Sequence, residues 1–224
     1  MIIILRIISN HLTSLYNLGA MSWEDYLPDD LMSLYEIHDF KHAAAILAKE
    51  FPQEFQEVCT ALREFRFSKQ DIIRSGGNES HIPKLFSEIL RPMGWEERNL
   101  EAELNVYEIN KKRKDLKLSV KHGSHKVDYI KGRVAFDLEW NSKDQTFDRD
   151  LYAFRAFFEY NSISVGILVT RSNELDILFK SLSINHKYGA STTHLGKLLP
   201  RLEAGRNGGC PVLVFGITSK LIAE

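Results

Sequence analysis

Val127-Asp128-Tyr129-Ile130-Lys131-Gly132-Arg133-Val134-Ala135-Phe136-Asp137-Leu138-Glu139-Trp140 carries the architecture of this chain. On a two-residue period, Val134, Phe136, Leu138 and Trp140 share one face of a strand, and Ala135, Asp137, Glu139 and Asn141 share the other. Lys131-Gly132 reads as the turn between two extended segments, which folds Asp128 back beside Asp137. Three carboxylates within a few ångströms repel one another unless a cation sits among them. Hard carboxylate oxygens suit Mg²⁺, which keeps several waters and takes one or two carboxylates plus a substrate phosphate. The expected chemistry is metal-assisted phosphodiester hydrolysis. The bland alternative is an exposed antiparallel strand that alternates apolar and acidic residues for solubility. Against it, no basic residue alternates with the acids on their own face; Arg133 and Lys143 flank the run.

The 224 residues suit one domain with a real core, and the apolar and charged fractions, 44% and 26%, are those of a globular chain. A formal net charge of −1 gives no global nucleic-acid signature. Enzymes that enclose DNA nonetheless concentrate positive charge in one cleft and balance it elsewhere. Lys111-Lys112-Arg113-Lys114, Lys117, Lys121 and Lys126 precede the acids and read either as a solvated basic loop or as a phosphate-tracking patch. Cys59 and Cys210 stand far apart without metal-ligand spacing, so reduced thiols and a cytoplasmic setting are expected. His122 and His125 have no matching Cys or His pair, and surface histidines rather than zinc ligands are expected. The apolar start Met1-Ile2-Ile3-Ile4-Leu5-Arg6 lacks a basic lead and is interrupted at Arg6, which argues against secretion and membrane spanning. Residues 1–20 read as an extension or a misassigned start, since Met21-Ser22-Trp23-Glu24-Asp25 resembles a second start; 21–224 then form a single domain.

The first half is helical in pattern. Asp29-Asp30 opens a run through Ile37, a second runs from Phe40 to Leu47, and Pro52 starts a third through Leu62. Ser75-Gly76-Gly77-Asn78 is a loop, and a helix from Pro83 ends at Pro92-Met93-Gly94. The second half is strand-rich: Tyr107-Glu108-Ile109, Lys117-Leu118-Ser119-Val120, the two segments around Asp128 and Asp137, 164–170 and 211–217. The last two are unbroken apolar runs, as expected of strands covered on both faces. Helices over 147–160 and 193–202 complete an α/β three-layer core, a mixed sheet flanked by helices, with a helical N-terminal part.

With Asp128, Asp137 and Glu139 in place, the chain resembles the PD-(D/E)xK nuclease core, and within it the BglII/BstYI type of type II restriction endonuclease. The likeness is densest over 127–175, through Asp150-Leu151-Tyr152-Ala153-Phe154 and Ser164-Val165-Gly166-Ile167-Leu168. It returns at Gly205-Arg206-Asn207-Gly208-Gly209-Cys210 and the strand after it, and is weaker over 38–95. The resemblance implies Mg²⁺-dependent cleavage of both strands of a short palindromic double-stranded DNA site, GATC-centred, by a homodimer. A cognate DNA methyltransferase is expected as a genetic companion rather than a bound partner. Asp128, Asp137 and the Leu138 carbonyl would hold the metal. Glu139 departs from the superfamily's lysine and from this type's glutamine, while the related BamHI has a glutamate there; an acid serves as a further ligand or as the base. Base reading would fall to Asn141, Ser142 and Lys143 and to the stretch around Ser191 and Thr192. One hydroxyl of Ser191-Thr192-Thr193 is expected to cap the next helix. Arg206 and Asn207 would contact phosphate or simply form a turn. Leu151, Phe154, Phe157 and Phe158 are read as core, with any surplus apolar face a dimer seam. Glu79 and Glu88 are accessory carboxylates or, more plainly, solvated helix glutamates. A repair or mobile-element endonuclease on the same core, and a catalytically silent DNA-binding protein, are the competing functions.

Overall fold

The computed structural model describes residues 21–74 and 81–223; residues 1–20, the loop at 75–78 and Glu79 lie outside them. Six strands form one mixed sheet in the order β1-β6-β5-β4-β3-β2. They are β1 (Tyr35–Phe40), β2 (Glu96–Asn110), β3 (Arg113–Lys131), β4 (Val134–Glu139), β5 (Val165–Arg171) and β6 (Val212–Ile217). The apolar runs β5 and β6 lie mid-sheet, every residue of both buried, parallel to each other and to β4. Such strands lose water on both faces, which is why they show no alternation.

Helices α1 (Asp29–Leu34), α2 (Ala43–Glu50), α3 (Pro52–Glu64), α4 (Lys69–Ile73), α5 (His81–Leu90) and α7 (Leu175–Ser181) cover one face, and α6 (Thr146–Glu159) and α8 (Leu195–Glu203) the other. The first layer packs on Val134, Phe136, Leu138 and Trp140. The second layer packs on Ala135, Leu168, Val212 and Val214, and Leu151, Phe154 and Phe157 point into it as core. Each face of β4 therefore meets its own cluster, as its alternation requires.

Helix α1 ends sooner than its pattern suggests. Tyr35-Glu36-Ile37, expected to be helical, instead opens β1 and pairs antiparallel with β6 from Tyr35↔Ile217 to Phe40↔Val212. The open edge of β6 needs backbone partners, and pairing satisfies them. Lys41 and His42 then adopt φ of 58° and 61°, so the helix expected from Phe40 begins only at Ala43. The Asp39 carboxylate accepts the Ala44 N–H at 2.7 Å and steadies that start. Helix α7 was not legible in the sequence.

Strands β2 and β3 form a long ribbon joined at Lys111-Lys112, and β3 pairs with β4 only over its last three residues. Only Lys111-Lys112 of the basic run form a turn; the rest lies on β3. The run thus occupies the ribbon's tip and second strand, where Lys117 pairs with Glu108 at 2.6 Å and Lys126 with Glu97 at 2.5 Å.

Gly166 marks the closest approach of β5 to α6, since a Cβ there would lie 2.3 Å from the Phe154 ring. Gly166→Ala must push a fully buried aromatic side chain aside. It is expected to lower stability by about 1–3 kcal/mol, which chemical denaturation measures as a lowered midpoint at unchanged slope.

Candidate active site

Strands β3 and β4 meet in register at Lys131↔Val134, Ile130↔Ala135 and Tyr129↔Phe136. The turn is one residue later than expected, at Gly132-Arg133, with Gly132 at φ 55°. Lys131 is the last residue of β3, its Nζ held by both Glu57 carboxylate oxygens at 2.6 and 2.7 Å and by the Met93 carbonyl at 2.8 Å. It fixes the strand end and lies on the Tyr129 side, away from the acids. Continued past Tyr129↔Phe136, the hairpin sets Asp128 against Asp137. The Asp128 N–H donates to Asp137 Oδ1 at 2.7 Å, and the Leu138 N–H faces Asp128 Oδ2 at 3.5 Å. The two acids expected to meet across the hairpin do meet.

A fourth acid joins them. Asp150, 2% exposed, comes from the first half of α6. Its neighbours Phe147, Leu151 and Phe154 point into the core, and Asp150 shares their stripe at helical spacing. An acid inside an apolar stripe was the signal that could have found it. Asp137 and Glu139 are 3% and 6% exposed. One oxygen each of Asp137 (Oδ2), Glu139 (Oε2) and Asp150 (Oδ2) is buried without a hydrogen-bond partner.

Burial raises every carboxyl in the group. Asp137 stands well above the ordinary range through burial and then through the charges of Asp150 and Asp128. Glu139 is raised to about 8 by burial and by Asp150, and Asp150 to about 6 by burial, against the pull of Arg149. Burial raises Asp128 too, opposed by the Leu138 N–H. Arg149, the residue before Asp150, supplies the cation missing from the strand: its guanidinium lies 3.0 Å from Asp150 and 3.7 Å from Glu139, largely in solvent. One exposed guanidinium does not neutralise four carboxyls. Orphaned buried oxygens, crowded acids and hard donor chemistry fit a divalent cation. Among the described residues, no three Asp, Glu, His or Cys side chains converge into a finished metal cage. That is compatible with a hydrated Mg²⁺ held by few protein ligands.

The two segments expected to read bases come together. Lys143 and Thr192 form an antiparallel bridge, the Asp144 N–H donates to the Ser191 carbonyl at 2.9 Å, and the Thr193 N–H to the Ser142 carbonyl at 2.9 Å. Ser142, Lys143 and Ser191 are exposed on this patch. Asn141 turns inward and donates to the Lys187 carbonyl at 3.3 Å, and the Thr192 hydroxyl is held between Arg171 and the Gly189 carbonyl. None of the three hydroxyls caps α8; Asn173 does so from a distance, its Oδ1 accepting the Gly196 N–H at 2.8 Å. Arg206 pairs with Asp148, and Asn207 is fully buried, donating to the Cys210 carbonyl at 2.6 Å. Asn207 therefore holds its own turn and cannot reach a phosphate. Glu88 is exposed on α5, which packs through Phe86 on the Phe136 face, opposite the acids. Cys59 and Cys210 are buried free thiols. No helix among the described residues is long and apolar enough to cross a membrane.

No curated protein matches the chain. The model of one family, Restriction endonuclease BglII/BglIII, matches residues 35–217. That span runs from the first residue of β1 to the last of β6 and takes in all four acids. A restriction-endonuclease-like α/β core, matched over most of its length, places the chain in the BglII/BglIII restriction endonuclease family.

Proposed function

We propose that the protein is a type II site-specific deoxyribonuclease that hydrolyses phosphodiester bonds at a short palindromic duplex site, with Mg²⁺ as its cofactor. The observation that carries this reading is the group of buried oxygens on Asp137, Glu139 and Asp150, left without partners beside Asp128. Asp128 and Asp137 are the metal-holding carboxylates, with the Leu138 carbonyl between the acids of β4 as a further ligand. Bound there, the ion would supply Lewis-acid polarisation of the scissile phosphate and neutralise charge as it develops. Glu139, at the end of β4, takes the proton of the attacking water or completes the ligand set. Asp150, whose charge raises the Glu139 carboxyl, sets that group's proton affinity. Arg149 stands at the mouth, free in most of its length to swing onto the phosphate.

Ser142, Lys143 and Ser191 are the base-reading candidates, since they stand exposed on the bridged loops, while Asn141 and Thr192 brace those loops from behind. Arg206 is a phosphate contact only if it leaves Asp148. A palindrome read by one chain calls for a two-fold partner, so the working form is a homodimer on double-stranded DNA. A GATC-centred site, a cytoplasmic setting and a methyltransferase encoded alongside complete the reading.

Incubating the purified full chain with phage DNA and Mg²⁺, then sequencing the ends, tests it. One palindrome cut at one position, with EDTA abolishing the cut, is expected. Ends scattered over many sequences would indicate a repair or mobile-element nuclease, and intact DNA a silent binder. Glu139→Gln keeps the shape of the side chain and removes its basicity. The rate is expected to fall by about 10²–10⁴, with the pH dependence flattened; an unchanged pH–rate profile would leave the base elsewhere.

A further inference from the structure

Arg171 ends β5, one residue after Thr170, whose hydroxyl donates to the Glu139 carbonyl at 2.6 Å. Along β5, Val165, Ile167 and Val169 belong to the core on the face opposite the acids, and Arg171 continues that face. Its side chain is 1% exposed, as buried as a core leucine. Of its nitrogens, Nη2 donates to Thr192 Oγ1, whereas Nε and Nη1 have no hydrogen-bond acceptor among the described residues. One carboxylate, Asp176, lies 3.5 Å from Nη1, and it is half in solvent. The rings of Phe179 and Tyr188, stacked at 4.0 Å, flank the guanidinium at 5.7 and 5.5 Å.

A guanidinium does not discharge on burial. Holding it dry with two donors idle is costly unless an anion completes it. The space for that anion is present. Arg171 lines a cavity of about 470 Å³ at the carboxyl ends of the parallel strands, with Lys180 and Lys197 also on its wall and Asp176 as its acid. Crevices at this end of a parallel sheet are where ligands of α/β folds commonly bind. Three cations and one carboxylate line the wall, with Asp144 3.9 Å from the Lys197 ammonium as a second acid nearby, and the aromatic pair forms an apolar side.

We propose that this cavity is a phosphate-binding site, with Arg171 as its buried bidentate anchor and Lys180 and Lys197 as the cations at its mouth. A tetrahedral phosphate offers the paired oxygens that a guanidinium fork matches, and the remaining oxygens meet the ammonium groups. The cavity is larger than one phosphate, and the Phe179–Tyr188 wall suits the sugar or base attached to it. The site lies across the sheet from the acid cluster and beneath the loop that ends at His194. It is joined to the bridged reading loops through Thr192, so its occupancy bears on their order. Two sources share this chemistry: a phosphodiester of bound duplex, and a free phosphate monoester such as a nucleotide.

The test follows the Arg171 Nε–H resonance of the full chain by NMR, assigned by its loss in Arg171→Met, in EDTA so that no DNA is cut. Inorganic phosphate, a nucleoside monophosphate and a short duplex are titrated separately, with chloride at matched ionic strength as control. Saturable movement with phosphate or the monophosphate identifies a free ligand. Movement with duplex alone identifies the DNA backbone. In either case Lys180→Ala/Lys197→Ala, which leaves Arg171 and its aromatic flank in place, is expected to weaken binding about tenfold or more, the scale of lost charge-assisted contacts. A resonance unmoved by all three probes overturns the site. So does binding that is unchanged in the double variant, and this comparison decides the matter if Arg171→Met fails to fold.

Discussion

Asp137→Asn is expected to remove Mg²⁺-dependent cleavage by roughly 10³-fold or more, the scale on which loss of a preorganised electrostatic centre acts, while duplex binding persists. Asp137 is almost wholly buried and is the one on which the charges of Asp150, Asp128 and Glu139 all act. The amide is isosteric, and its remaining oxygen still accepts the Asp128 N–H, so the hairpin keeps its shape. What is lost is the negative charge on the oxygen that has no protein partner. Asp128→Asn should act in the same direction. Cleavage kinetics and a gel-shift titration on the same preparation separate the two effects. A fully active Asp137→Asn enzyme is incompatible with the assignment, and lost binding with intact folding would move Asp137 into recognition instead.

The second large effect is on stability. Metal-free protein is expected to lose several kcal/mol between pH 4.5 and 8, and divalent ion to restore most of it. Each acid here has a folded pKa above its unfolded one, so the folded state holds its protons more tightly. That advantage is complete below the unfolded values, 3.8 for Asp and 4.5 for Glu, and is lost as pH rises through about 6 for Asp150 and about 8 for Glu139. At about 1.4 kcal/mol per pKa unit, Glu139 carries the largest single share among the groups with printed values. A cation binds only the ionised cluster, so the gain in melting temperature on adding Mg²⁺ should grow from pH 5 to pH 8. Asp150→Asn, which removes one of the crowded charges, should flatten the slope. A melting temperature that rises with pH in EDTA, or a Mg²⁺ shift independent of pH, would show that the acids are not crowded as described.

Much of this was readable in the sequence, for a local reason. The side-chain alternation of β4 has a period of two whatever the rest of the chain does, so Phe136 and Asp137 were bound to face opposite layers. The covered strands β5 and β6 announced themselves by apolar runs of strand length. What escaped was set by distant partners. Tyr35–Phe40 became β1 because β6 had an open edge, which nothing within those six residues reveals. Asp150 shows in the sequence only as an acid within an apolar stripe, and that it meets Asp137 depends on how the helix docks. The α8 cap comes from Asn173, more than twenty residues from the helix start it satisfies. The ribbon was seen only in fragments, because register shifts near Leu100 and Val106 break the alternation that would have joined them.

We propose that Asp128 and Asp137, brought together by one hairpin, share a divalent ion. Crystals of the full chain grown with Mn²⁺ and measured at the manganese absorption edge test it most directly. An anomalous peak is expected at coordination distance from both carboxylates, on the face of β4 that carries Glu139, and it should disappear in Asp137→Asn. A peak held by other residues, or none at saturating Mn²⁺ with the wild-type hairpin intact, would contradict it.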